Sequence, residues 1–334
     1  MNNWKLAPLA LAAVCGCAQA QSSVTIFGRI DLSLRKTAGN STQSGPGGMS
    51  TNDALLMVPA SRNRWGIRVD EDLGGGWRGH VFLDATFNGD DGTAALTYFD
   101  GRSTVGISNP AYGRIDFGRI DQPALYITLD FDPWQGDTMG QAGPWSYLRV
   151  NPTGAPAPAG LPAAPQDFYS FKSSNSITYA SPVLGGFQAR AQYALSETPG
   201  TADSKGGSLT YTSGPFYAGI AHQRWNDRHY STPIGAWYNF GFIKPMFSYV
   251  SGKRLGNKES NLLLGFTAVL GGGELRGLIE RYTLANGSQH DRKWSTGYFY
   301  PLSKRTTLYG NYANVRFNDS TKRTGVELGV RHSF

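Results

Sequence analysis

The sequence predicts an all-β protein, a transmembrane antiparallel β-barrel of 16 strands with an inward-folded third external loop. Three observations predict it. Apolar and polar residues alternate with period two over most of the chain, in several runs near ten residues long, the length a strongly tilted strand needs to cross a bilayer. Short and long connections alternate between those runs, as in bacterial outer-membrane barrels, which have short periplasmic turns and longer external loops. No stretch approaches about 18 consecutive apolar residues, so there is no helical span. The mean hydropathy of −0.34 fits a strand-crossing chain that hides one apolar residue in two.

The N-terminus reads as an export signal. Lys5 precedes an apolar core at 6–15, and Ala18-Gln19-Ala20 forms a small-x-small cleavage site before Gln21, giving a signal peptide at 1–20 and a barrel at 21–334. A lipoprotein signal around Val14-Cys15-Gly16-Cys17 is the competing reading, but Cys fits poorly at its second position. Both cysteines fall in the removed segment, which excludes disulfide and thiolate chemistry from the mature chain. Removing 1–20 takes away one cation, Lys5, and lowers the net charge of +7 to +6.

In chain order, Ser23–Arg35 is the first strand, with Val24, Ile26, Ile30, Leu32 and Leu34 on one face, interrupted by Gly28, and Arg29, Asp31 and Arg35 on the other. Residues 37–50 read as a Gly/Ser/Asn-rich loop. Ser61–Asp70 and Trp77–Phe87 form a hairpin around Leu73-Gly74-Gly75-Gly76, and Arg102–Ser108 turns at Asn109-Pro110-Ala111 into Tyr112–Gly118. After a long interruption the pattern resumes at 174–181, 187–196, 206–213, 215–224, 231–240, 245–253, 259–270, 274–284, 292–300, 305–317 and 324–334. An even count puts both termini on the periplasmic side. Segments 197–205, 225–230, 254–258, 285–291 and 318–323 read as the longer external connections. A soluble β-sandwich would give strands nearer five or six residues. Aromatics near the turns, among them Trp65, Trp77, Tyr179, Tyr217, Phe299 and Tyr309, are expected in interfacial girdles.

The interruption, Asp121–Lys172 within 120–173, has about fifty residues without a convincing strand, and so long a connection is usually functional. Its first half, with Tyr126, Phe131 and Trp134, is expected to pack on the wall and narrow the channel. The Pro/Ala-rich 151–165 segment is expected to be a mobile or rim element.

The final strand alternates and ends on Phe334, and a barrel must pair its last strand with its first. The segments SSVTIFGRID (22–31), WGIRVDEDLGGGWRG (65–79), NPAYGRIDFGR (109–119), SNSITYASPVLGGF (174–187) and GVRHSF (329–334) resemble the trimeric general porins of Gram-negative bacteria, most of all the betaproteobacterial branch. The resemblance covers essentially the whole mature chain and implies a homotrimer in the outer membrane. It also implies Phe334 as the signal read by the barrel-assembly machinery, with periplasmic chaperones, membrane lipid and lipopolysaccharide as further partners. In that family acidic groups on the third loop face a basic wall. Asp121, Asp130, Asp132 and Asp137 are the acids available here, Asp130 and Asp132 foremost.

Strand parity supplies the basic wall. Arg29 and Arg35, then Arg62, Arg64 and Arg68, then Arg78, point to one side on adjacent strands, with Arg114 joining from the fifth. So many like charges are prohibitive in a core and suit a wet lumen that prefers anions. The expected solutes are small anionic or polar molecules. General diffusion and a substrate-specific anion channel remain alternative readings. An enzyme is the other class, but there is no G-x-S-x-G or H-E-x-x-H motif. Among His80, His222, His229, His290 and His332, none is expected beside a paired carboxylate at a strand top. No cofactor, metal or nucleic-acid partner is expected.

Overall fold

The computed structural model describes residues 22–43, 48–94, 98–143, 171–197, 199, 202–254, 256–284 and 289–334. The cleavage site at Ala20 and Gln21 and the 151–165 segment lie outside them. The strands are β1 (Ser23–Gly39), β2 (Leu55–Pro59), β3 (Arg64–Gly74), β4 (Trp77–Thr86), β5 (Ser103–Asn109) and β6 (Gly113–Asp121). A short helix α1 (Pro123–Asp130) precedes β7 (Lys172–Ala180), β8 (Phe187–Ala194), β9 (Ser204–Ser213), β10 (Phe216–Asn226), β11 (His229–Tyr238) and β12 (Ile243–Arg254). The chain closes with β13 (Asn257–Leu270), β14 (Gly273–Leu284), β15 (Gln289–Pro301), β16 (Thr306–Arg316) and β17 (Lys322–Ser333).

All pair antiparallel in one sheet that closes through β1 and β17. There are 17 segments, but β2 and β3 both pair with β1, Leu55–Pro59 against Lys36–Leu32 and Arg64–Asp70 against Arg29–Ser23. They are two halves of one barrel strand, which leaves the expected sixteen. The strand expected at Ser61–Asp70 therefore begins earlier and is broken at 60–63, where two residues of β1 face four. A bulge of this kind re-aims side chains. β1 also runs past Arg35 to Gly39, into the segment expected as loop.

The alternation of long and short connections fails twice. Only 227–228 separate β10 from β11, and 255–256 separate β12 from β13, where longer loops were expected. The opposite ends behave as expected: Gly271 and Gly272, at φ 55° and 81°, make the tight turn between β13 and β14, in a region that glycine enters without steric cost.

Alternation sorts the two faces. On β1, Val24 is 67% exposed and Ile26 66%, whereas Asp31 is 0% and Ser33 3%. Leu209, Ile220, Ile234, Leu264, Ile279 and Leu328 continue the exposed apolar side around the sheet. In water so continuous an apolar surface would be a liability; against lipid it is the stable arrangement. Tyr217, Phe299 and Tyr309 are not girdle residues. Their strand parity turns them inward, and Phe299 stacks on Tyr309 at 5.2 Å, both at most 5% exposed.

Phe334 closes the seam. Its carbonyl accepts from Gly28 N–H at 2.9 Å and its N–H donates to the Gly28 carbonyl at 3.0 Å. Its ring lies over Gly28, where an added Cβ would collide with it, which accounts for the glycine that interrupts the apolar face of β1. Gly28→Val is expected to destabilise the barrel by about 1–3 kcal/mol, the usual cost of overpacking. The check is the urea midpoint of the folded, heat-modifiable species, which should fall; Phe334→Ala combined with Gly28→Val should recover part of the loss.

Candidate functional site

After β6 the chain does not turn back at once. Gln122 donates its N–H to Phe171 O at 2.9 Å, closing the base of the excursion, and Pro123 starts α1 at a position where its missing N–H costs nothing. Residues 123–143 then lie along the inner-face side chains of β10, β11 and β13–β17. The wall makes room for them with glycines. A Cβ at Gly219 would come within 2.8 Å of Ile127, and one at Gly265 within 2.6 Å of Pro133. At Gly235 it would strike the Phe131 ring, and at Gly325 the Met139 sulfur. Ile127, Phe131 and Met139 are 0% exposed and Trp134 1%.

Apolar burial is non-directional; buried carboxylates set the loop's position. Glu327, fully buried, accepts from Met139 N–H at 2.9 Å, Asn311 at 3.0 Å, Ser33 at 2.9 Å and Arg35 at 2.5 Å. Glu280 accepts from Gly143 N–H at 2.7 Å, and Lys293 donates to the carbonyls of Met139 and Gln141. Trp134 Nε1 donates to Asn311 at 2.9 Å. Bonds to charged groups contribute roughly 1.5–3 kcal/mol each, so losing one of these carboxylates outweighs losing any single apolar contact.

The acidic residues divide by role. Asp132 does not face a passage: it is 2% exposed and accepts three backbone N–H groups of its own loop, from Trp134 at 3.0 Å, Gly136 at 2.9 Å and Ala142 at 3.1 Å. Burial pushes its carboxyl up despite those bonds. Asp121 is held by Lys172 at 2.5 Å, with Arg102 at 3.9 Å. Asp130 accepts from the Tyr217 hydroxyl at 2.5 Å. Asp137 meets Arg29 at 2.9 Å and Arg331 at 3.4 Å, so the loop tip is clamped between two guanidinium groups.

The arginine row contracts. Arg29 reaches both Asp137 and the Arg62 carbonyl, Arg62 pairs with Asp100 at 3.3 Å, and Arg64 pairs with Asp84 at 3.4 Å. Arg35 is spent on Glu327 inside the wall. Arg68, Arg78 and Arg114 do not join them, because strand register sets them toward the short-turn end. Arg114 lies about 24 Å along β6 from Asp121, at 3.4 Å per residue, and is closed on Asp116 at 2.5 Å. Arg78 is register-paired with Ser108, next to the same turn. Arg102, Arg190, Arg276 and Arg331 were missed, although inward parity marks all four. Arg190 stands over the Tyr126 ring at 5.1 Å and Arg276 over Phe299 at 3.9 Å.

Three of the ion pairs share a pattern, whereas Arg29–Asp137 and Arg62–Asp100 are evenly exposed. Where Arg64 is 38% exposed, Asp84 is 0%; where Arg331 is 19%, Asp31 is 0%; where Arg114 is 36%, Asp116 is 7%. The acids sit at the base of the wall and the guanidinium heads above them. At these three pairs the charges balance, yet the group more open to water is the guanidinium.

A histidine is also placed unexpectedly. His80 Nδ1 lies 2.8 Å from Asp70 and Nε2 2.6 Å from Ser108, so a histidine does sit beside a carboxylate, at the short-turn end and not at a strand top, where none was expected. The cause is cross-strand register: Asp70 faces His80 across β3 and β4, and Ser108 comes alongside from β5.

Gly235→Val is expected to push the Phe131 ring and α1 off the wall and shift the single-channel conductance, with Phe131→Ala in the same chain restoring it. An unchanged conductance in Gly235→Val would contradict the packing described.

The Gram-negative porin family matches residues 7–320. Outer membrane porin protein 32 of Delftia acidovorans is 32% identical over 98% of this chain and 99% of its own length. An outer membrane porin protein of Bordetella pertussis is 26% identical over the whole of both chains. The anion-selective porin from Comamonas acidovorans superposes with a TM-score of 0.79 at 27% identity, covering 94% of this chain and 100% of that one. A closed sixteen-strand barrel, an apolar lipid face and a charged inner wall are thus joined by similarity over the full chain: the protein belongs to the Gram-negative porin family and resides in the bacterial outer membrane.

Proposed function

We propose that this porin is a homotrimeric, water-filled channel for small hydrophilic solutes that prefers anions. In this reading 120–173 is the constriction segment, whose described part, residues 122–143, belongs to the third external loop and narrows the lumen beside Arg29, Arg62, Arg64, Arg102 and Arg331. The observation that carries it is the difference in exposure between the guanidinium heads of Arg64 and Arg331 and the carboxylates beneath them, Asp84 and Asp31. A permeating ion interacts most with the nearest, least screened charge, and that charge is positive. Arginine stays charged at any working pH in such a cluster. The anion selectivity named for the Comamonas acidovorans porin supports the same reading. Residues 1–20 act as the export signal, cleaved between Ala20 and Gln21, and Phe334 as the assembly signal.

Arg62→Gln with Arg64→Gln is expected to move the zero-current potential in a salt gradient toward the cation side. Because Asp84 and Asp100 would then be left without those partners, Arg62→Lys with Arg64→Lys is the matched control and should retain anion preference. An unmoved potential in the glutamine variant would overturn the arginine assignment.

Burial pushes the Asp130 carboxyl above the ordinary range, opposed by the Tyr217 hydroxyl, Arg190 and Lys244. A raised carboxylate pKa means that Asp130 takes up its proton earlier as pH falls. As pH falls the passage therefore loses this negative charge before it would lose that of an ordinary carboxylate, and anion preference rises. Asp130→Asn should show the higher preference throughout and no such rise.

His80, Asp70 and Ser108 have the connectivity of a base, its orienting acid and a nucleophile, which is the observation favouring a second reading, acyl hydrolysis. We infer that they form a polar patch of the channel wall and not a catalytic set, because the cross-strand neighbours of Ser108 are Arg78 and Arg114 and Arg114 is already closed on Asp116. Purified barrel should hydrolyse p-nitrophenyl esters no faster than its Ser108→Ala variant; a rate lost with Ser108 would establish the enzyme.

A further inference from the structure

Most cations of the inner wall are answered by an acid. Arg29, Arg62, Arg64, Arg114, Arg276 and Arg331 each meet a carboxylate at between 2.5 and 3.4 Å. Arg190 on β8 and Lys244 on β12 point inward without a carboxylate partner among the described residues. Each rests on an aromatic ring instead, Arg190 at 5.1 Å over Tyr126 and Lys244 at 5.2 Å over Trp237. A ring's quadrupole attracts a cation to its face but carries no net charge. The charge of both groups is therefore left for the lumen.

Between those two strands lies a pair of stacked rings. Tyr217 on β10 and Trp237 on β11 are register partners, with centroids 5.2 Å apart and planes at 26°. Both are half-buried, whereas the other stacked pair of the inner wall, Phe299 and Tyr309, is at most 5% exposed. Gly219 and Gly235, which make room for Ile127 and Phe131 of the loop, stand two residues away on the same strands and the same face. That is about 7 Å at 3.4 Å per residue, so the rings and Lys244 lie just to the short-turn side of α1. Asp130 at the end of α1 accepts from the Tyr217 hydroxyl and forms an ion pair with neither cation. A flat apolar surface open to the lumen thus stands beside unanswered positive charge.

We propose that Lys244, Trp237 and Tyr217, with Arg190 on the far side of Tyr217, form a subsite for aromatic carboxylates on the short-turn side of the loop. The carboxylate draws the Lys244 ammonium off the Trp237 face, which the flexible lysine stem permits. The solute ring then takes the face the ammonium leaves, in an offset-stacked contact. The subsite rests on the channel reading above, because it acts on anions that enter the same lumen. Its binding is weak, as conduction requires: favourable enough to enter and loose enough to leave. A carboxylate without a ring gains only the charge contact, and a ring without a carboxylate leaves Lys244 where it is.

The test compares benzoate with cyclohexanecarboxylate, which match in charge and nearly in size and differ in the π face. Each is titrated into potassium chloride on both sides of a planar bilayer holding the whole porin, and block of the chloride current is read. Benzoate should reach half-block at a roughly fivefold lower concentration, the advantage of one aromatic contact. Trp237→Leu should remove that difference, and Lys244→Gln should weaken block by both acids. Equal block by the two acids in the wild-type porin, or none by either, would overturn the subsite, and this comparison needs no variant to fold. A difference that survived Trp237→Leu would place the ring contact elsewhere and overturn it as well. The zero-current potential in potassium chloride alone, recorded on the same channels, tests the anion preference separately. A cation-preferring channel that still told benzoate from cyclohexanecarboxylate would contradict that preference and leave the subsite standing.

Discussion

Carboxylates buried at the base of the wall are the constraint on which the rest depends. A buried charge must be paired and hydrogen-bonded or it costs several kcal/mol. Asp31 and Glu327, both 0% exposed, sit on the two strands that close the barrel. Asp31 collects Arg331 at 2.7 Å, Tyr309 at 2.5 Å and Ser61 at 2.5 Å, and Glu327 collects Arg35, Ser33, Asn311 and Met139 N–H. The same acids therefore join the seam to the broken second strand and the loop to the seam. They also set the sign of the visible charge, because each draws a guanidinium group over itself and hides beneath it.

The break at 60–63 fits that scheme. Ala60 O accepts from Thr138 N–H at 2.9 Å and Asn63 accepts from Asp31 N–H at 2.6 Å, so backbone freed from the ladder by the bulge is used to hold the loop and the buried acid. Within the loop, Gln135 and Thr138 take left-handed conformations at φ 53° and 60°. Non-glycine residues hold such angles only where their surroundings over-determine them. Here the three N–H bonds to Asp132 and the Thr138–Ala60 bond do so.

Much of this was legible in the sequence. Period-two alternation located β4–β17 to within a few residues, and parity assigned Arg29, Arg64 and Asp31 to the inner face. Parity alone could not tell Arg64 from Arg114, because height along the barrel depends on register. Nor could it tell a carboxylate that faces water from one like Asp132 that folds into its own loop. The broken second strand escaped because Leu55–Pro59 is only five residues long and Pro59 reads as a terminator. The wall glycines at 219, 235, 265 and 325 do carry a signal: each interrupts an inward row, and a glycine in a strand interior often marks another chain close by.

The central claim is that residues 123–143 rest on the inner wall while the channel conducts. Residues 21–334 contain no cysteine, so in a chain of those residues a pair placed at Met139 and Gly325 can report on that contact alone. Met139→Cys with Gly325→Cys should form a disulfide under mild oxidation in the folded barrel, and the current through a planar bilayer should be the same before and after oxidation. Failure to cross-link, or a conductance that changes markedly once the bond forms, would mean that the loop of the conducting channel lies elsewhere.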